Sequence, residues 1–185
     1  SEQQLNIDTL DSLVEQGLAR QVDSEIYDVH DLIREFLLRS IDDQTKFELH
    51  AKCSNWYKKS SQTPGFTIEL IFHLLSSDNM VDATSMIIDN GRILISQGHM
   101  ELLGLIESIN TADISQEMLA KILQFKGEIL SLLGRFEEAK EAFGAAQEQA
   151  ANSKNNSILA EALSALADIS LKQGSLDESL AMHKE

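Results

Sequence analysis

The chain has 185 residues, 43 % of them hydrophobic, with nine Gly, one Pro, one Cys and a formal net charge of −15. That apolar content supports a packed core and excludes a disordered chain, while Cys53, having no second cysteine, excludes an intramolecular disulfide. The acidity is uneven, net −8 over residues 1–45, −2 over 46–110 and −5 over 111–185; a nucleic-acid surface needs clustered Lys and Arg to displace phosphate counterions, so this charge argues against such a partner.

No signal-peptide pattern and no apolar run of membrane-spanning length occurs, so the expectation is a cytoplasmic protein without membrane contact. In chain order, Leu5, Leu10, Leu13 and Val14 mark one face of a helix that Gly17 ends, with Ile7 near its start. Two short strands follow, Leu18–Val22 and Ile26–Val29, around the polar turn Asp23-Ser24-Glu25, which predicts a β-hairpin. Leu32, Ile33, Phe36, Leu37 and Ile41 then recur at helical spacing. Helix, β-ribbon, helix is the second half of a winged-helix domain over residues 1–41, and the expectation is that the chain starts inside that domain.

Asp42-Asp43 open a further helix, with acids in the first turn where they suit its dipole. One face of it carries Phe47, His50, Ala51, Ser54 and Tyr57. Trp56, beside that face, is expected to anchor a neighbouring helix, and His50 to be a hydrogen-bonded core residue. Cys53, with no CxxC or metal spacing around it, reads as an ordinary helix residue. Lys58–Gly65 is a loop by its Ser, Pro and Gly content. Helices are then expected over Thr67–Ser76, over Met80–Asn90 with Gly91 as its stop, over the short Ile93–Ser96 ended by Gly98, and over Met100–Ile109. Residues 42–110 thus form a region of stacked α-hairpins.

The last part, residues 111–185, repeats itself. Ile129–Ala139 aligns with Ile169–Ser179 at an offset of 40 residues, and Ala120, Leu123 and Gly127 align with Ala160, Leu163 and Ala167. Gly127, Gly134, Phe136, Ala139, Phe143 and Ala146, with Gly174 in the second copy, resemble the signature of the tetratricopeptide repeat. That repeat has a period of 34, so six additional residues are expected to lengthen its second helix and the loop Asn152–Ser157. Gly127 inside a helix costs about 1 kcal/mol against Ala, which predicts a neighbouring helix packed on its backbone. The second copy departs from the signature at Ser179 and His183 and stops at Glu185, so further repeats are expected beyond it. The fold class expected is mostly α: a partial winged helix followed by a right-handed superhelix of tetratricopeptide-like hairpins. The concave face of such an array implies a protein or peptide partner. A carboxylate clamp on that face would need Lys, Arg and Asn, and Lys121, Lys126 and Lys172 are too sparse for one.

The first module carries the most specific pattern. Leu10-x-x-Leu-x-x-x-Gly-Leu18 followed by Tyr27-Asp-Val-His-Asp-Leu32 resembles the winged-helix domain of the STAND signal-transduction ATPases, which follows a P-loop ATPase core. Val29-His30-Asp31 is similar to their Met-His-Asp motif, with Val in place of Met. The resemblance implies that His30, with Asp31, hydrogen-bonds the β-phosphate of ADP and holds a resting state closed. A helix starting near residue 31 would add free N–H groups and a positive dipole end. The alternative is that His30 ends a strand and Asp31 caps the helix. The order winged helix, Trp-bearing helix, hairpins is also similar to the maltose-activator type of this class. The chain itself has no GxxxxGK[ST], no catalytic Ser/His/Asp or Cys/His grouping and no metal-ligand cluster, so it is read as non-catalytic, without cofactor or metal of its own. ADP or ATP and Mg would belong to an upstream ATPase domain. Two other readings stand beside this one, a free-standing tetratricopeptide adaptor and a winged-helix transcription regulator.

Overall fold

The computed structural model describes residues 7–23, 26–60 and 63–172. They are mostly helical, with one two-stranded antiparallel hairpin after the first helix. The chain divides into two compact units, Ser1–Leu49 and His50–Glu185.

The first unit holds α1 (Ile7–Glu15), β1 (Ala19–Asp23), β2 (Ile26–Val29) and α2 (Asp31–Ser40). Gly17 has φ +70°, a left-handed conformation that only glycine adopts cheaply, and the Leu18 N–H reaches back to the Leu13 carbonyl at 2.9 Å. The hairpin pairs Ala19 with Val29, Arg20 with Asp28 and Gln21 with Tyr27, and its register shifts between Gln21 and Asp23. The sequence-based face of α2 is only partly used. Ile33 and Ile41 are half-buried, whereas Leu32 is 81 % and Phe36 69 % exposed.

α3 (Asp43–Lys59) runs through the boundary between the units. The second unit continues with α4 (Pro64–Ser76), α5 (Met80–Ser96), α6 (Leu102–Glu107), a 3-10 turn at Thr111–Asp113, α7 (Gln116–Leu132), α8 (Phe136–Asn152) and α9 (Asn156–Lys172). Caps set several starts. Thr63 Oγ1 accepts from the Phe66 N–H, with Pro64 in the first turn, and Ser115 Oγ accepts from the Met118 N–H. One core cluster draws on helices from α4 to α9, with Leu70, Ile87, Leu102, Phe125, Phe143 and Ile169 among its buried members. Full burial of each such side chain contributes about 1.5–3 kcal/mol. Thr84 Oγ1 is buried among them without a hydrogen-bond partner.

The structure corrects several sequence-based boundaries. Gly91 does not stop a helix: α5 runs unbroken from Met80 to Ser96 and absorbs the separate Ile93–Ser96 helix. The last helix of the middle region is shorter than Met100–Ile109, and the loop after α3 is confined to the residues between Lys59 and Pro64. Trp56, expected to anchor the neighbouring helix, is 58 % exposed and meets α4 at the surface, its ring 4.9 Å from Tyr57 and 6.0 Å from Phe66 on α4. Of the paired positions in the 40-residue alignment, Gly127 and Ala167 are both buried, as are Ile129 and Ile169, but Ala160 is exposed where Ala120 is buried.

Gly91 reveals a third copy of the recurring segment. Gly91, Leu94, Gly98, Met100 and Leu103 match Gly127, Leu130, Gly134, Phe136 and Ala139 at an offset of 36 residues. Both inner glycines are buried, and both outer ones have positive φ, +86° at Gly98 and +75° at Gly134. The helix ends match bond for bond. Gly98 and His99 N–H groups donate to the Ile95 and Leu94 carbonyls, and Gly134 and Arg135 N–H groups to Ser131 and Leu130.

Candidate interaction groove and the His30 junction

Close approach at the inner glycines brings α5, α7 and α8 together. A Cβ on Gly127 would lie 2.7 Å from Phe143 Cε1, and one on Gly91 would lie 2.8 Å from Phe125 Cε2, so each glycine is the floor under an aromatic ring. The ring over Gly127 comes from α8. The ring over Gly91 comes from α7, because α6 is short and offers Glu107 at the position that matches Phe143. Ala139, Ala146 and Phe143 are buried on α8, Phe136 is half-buried at its start, and Gly134 turns the chain between α7 and α8. Gly174, Ser179 and His183 lie outside the described residues.

α5, α7 and α9 line an open groove of about 650 Å³. Each contributes residues one helical turn apart: Arg92 and Ser96 on α5, Gln124, Glu128 and Leu132 on α7, and Glu161, Ala165 and Asp168 on α9. Glu161 is the hub. Its Oε2 accepts from Arg92 Nη2 at 2.6 Å, Lys121 Nζ at 3.2 Å and Gln124 Nε2 at 2.5 Å. Burial works against its charge, but these bonds and the two cations hold its carboxyl below the usual range. Gln124 is buried and fully engaged, since its Oε1 accepts from Lys121 Nζ and its Nε2 also reaches Glu128 at 3.3 Å. Glu128 shows the opposite balance. Burial pushes its carboxyl up, with Glu161 acting in the same direction against the fields of Arg92 and Lys121.

Lys121 and Lys126 do not form a clamp for a carboxylate: Lys121 is committed to Glu161 and Gln124, and Lys126 pairs with Glu107 at 3.0 Å. The Lys172 side chain lies outside the described part.

In the first unit, His30 occupies the N-cap position of α2 and is exposed. Its carbonyl accepts from the Ile33 and Arg34 N–H groups at 2.9 Å, while its side chain makes no capping bond. Asp31 is therefore not the cap; it is the first helical residue, paired with Arg34 Nη1 at 3.2 Å. Arg34 also bonds Asp28 Oδ1 at 2.6 Å and the Val29 carbonyl at 3.3 Å, fixing the strand-to-helix corner around His30. Arg20 bonds Asp28 from the facing strand and, with Arg34, lowers its carboxyl pKa.

At the start of the second unit, His50 Nδ1 lies 2.8 Å from His73 Nδ1. The sequence placed His50 in a core bond but could not supply its partner, 23 residues away. Burial lowers both imidazole pKa values, and it raises that of the nearby Cys53 thiol, which leaves Cys53 poorly suited to nucleophilic work. Among the described residues no group of three or more His, Cys, Asp or Glu could hold a metal ion, and no helix is long and apolar enough to cross a membrane. No protein-family model, curated protein or solved structure matches the chain.

Proposed function

We propose that the chain is a non-catalytic regulatory and protein-interaction segment of a STAND-type ATPase. In this reading a partial winged helix acts as the nucleotide-state lever, and tetratricopeptide-like repeats act as the scaffold that holds a partner. The observation that carries it is the groove lined by α5, α7 and α9, which presents side chains from matched faces, while recurring glycine-and-ring contacts hold α5 to α7 and α7 to α8. Repeat arrays recognise proteins through surfaces of this kind.

The lever half rests on His30. Its imidazole is exposed at the start of α2 and free of a capping role, so it is available to a phosphate presented by an ATPase domain. In a protein carrying these residues behind a GxxxxGK[ST] loop, His30→Ala should speed ADP dissociation about ten-fold or more, the loss of one charge-assisted hydrogen bond. Stopped-flow release of a fluorescent ADP analogue measures it, and an unchanged rate would leave His30 a structural corner residue. A free-standing adaptor would share the groove without the lever. The transcription-regulator reading is disfavoured: α1 contains no Lys or Arg, and both Arg34 and Arg39 of α2 are paired with carboxylates.

A further inference from the structure

The groove has a charge imbalance that specifies its occupant. Arg92 of its lining and Lys121, which lies outside the lining, both converge on the single carboxylate of Glu161. Glu128, half-buried on α7, lies in the fields of Arg92 and Lys121 but accepts a hydrogen bond from the neutral amide of Gln124 and is ion-paired with neither cation, and Asp168 on α9 pairs with no described residue. Leu132, one turn beyond Glu128, is 63 % exposed at the groove and supplies an apolar surface with Ala165. A partly desolvated carboxylate without its own cation is costly until a partner brings one.

We infer that this groove binds a peptide segment of a partner protein that sets a Lys or Arg against Glu128 and Asp168 and an apolar side chain against Leu132. This deepens the proposed interaction role and rests on it. The groove is open, and its volume of about 650 Å³ falls in the range of ligand-binding clefts. A cation entering it would bond Glu128 Oε directly, while Glu161 keeps Arg92 and Lys121 from filling that place. The selectivity is thus opposite to that of a carboxylate clamp.

The test uses the full chain and short fluorescein-labelled peptides built on one Ser, Gly and Leu framework that carry two Lys, two norleucine or two Glu. Fluorescence anisotropy should show binding of the Lys peptide, with affinity about ten-fold or more weaker for the norleucine peptide, the loss of one charge-assisted contact. Glu128→Gln with Asp168→Asn should remove the same factor. Glu141→Gln with Glu148→Gln, which removes the same charge from exposed positions of α8, should leave affinity unchanged. Circular dichroism checks that each variant folds. Equal loss in both double variants would reduce the effect to attraction by an acidic chain and overturn the inference. Preferential binding of the Glu peptide, lost on Leu132→Asp, would overturn it while leaving the groove an interaction surface. Binding of none of the peptides would overturn the inference and remove this support from the interaction reading as well.

Discussion

Gly127 and Gly144 lie on adjacent helices and face opposite circumstances. A methyl group on Gly127 would meet the Phe143 ring at 2.7 Å, whereas one on Gly144 would meet nothing within 4 Å. Gly127→Ala must push the ring or the helix aside, at a cost of about 1–3 kcal/mol. Gly144→Ala removes backbone freedom from the unfolded chain and should stabilise by about 0.5–1 kcal/mol. Urea midpoints of the two variants should therefore move in opposite directions, and a shift of the same sign would mean that the ring does not rest on Gly127. The need for a small residue at 127 was legible from the glycine's place in the helix. Gly91 carries the same need, but its sequence context also suits a helix end. The G-x6-G spacing shared by Gly91–Gly98 and Gly127–Gly134 was the signal that separates the two readings.

At the scale of the helix, termination follows one rule at four places in the second unit. Asp78, Gly98, Gly134 and Lys154 each follow a helix with positive φ, at 56°, 86°, 75° and 56°. The next N–H returns to a carbonyl in the last turn each time: Asn79 to Leu74, His99 to Leu94, Arg135 to Leu130 and Asn155 to Ala150. Two of these positions are glycine and two are not, and an L side chain in this region is strained by roughly 1 kcal/mol. Lys154→Gly should therefore stabilise by about 0.5–1 kcal/mol and Gly134→Ala destabilise by a similar amount. Thermal unfolding of the pair checks this; no gain in Lys154→Gly would mean that the lysine side chain contributes more than the strain costs. The sequence marks the glycine stops plainly. The Asp78 and Lys154 stops carry no residue preference strong enough to read, because their geometry follows from where the next helix must begin.

For the whole molecule, the half-buried histidine pair sets a pH dependence. The Nδ1–Nδ1 contact needs one nitrogen to donate and the other to accept, so it cannot survive with both rings protonated. Burial lowers both pKa values, with the charge of His50 adding to the effect on His73. The folded chain thus binds fewer protons than the unfolded chain in the window below the ordinary histidine value of about 6.5. The contribution is fully present above that value and is lost as the pH falls through the window. Glu128, whose pKa is raised, acts with the opposite sign above the ordinary carboxylate range. The melting temperature should therefore fall between pH 7.5 and 5.5 more steeply in the natural chain than in His50→Gln/His73→Gln. Parallel profiles would show that the pair does not govern acid stability.

The sequence by itself determined where most helices lie, the hairpin after the first helix, the glycine turns and the small residues of the recurring segment. These depend on periodicity and local backbone preference, which operate within one or two helical turns. Tertiary structure alone decided that Phe125 covers Gly91, that His50 meets His73, and that Arg92 and Lys121 both serve Glu161. Arg92 and Glu161 are 69 residues apart. No local pattern encodes such a meeting, because it depends on how three separate helices pack around a shared core. That packing also leaves Glu128 bonded to the Gln124 amide while Arg92 and Lys121 bond Glu161.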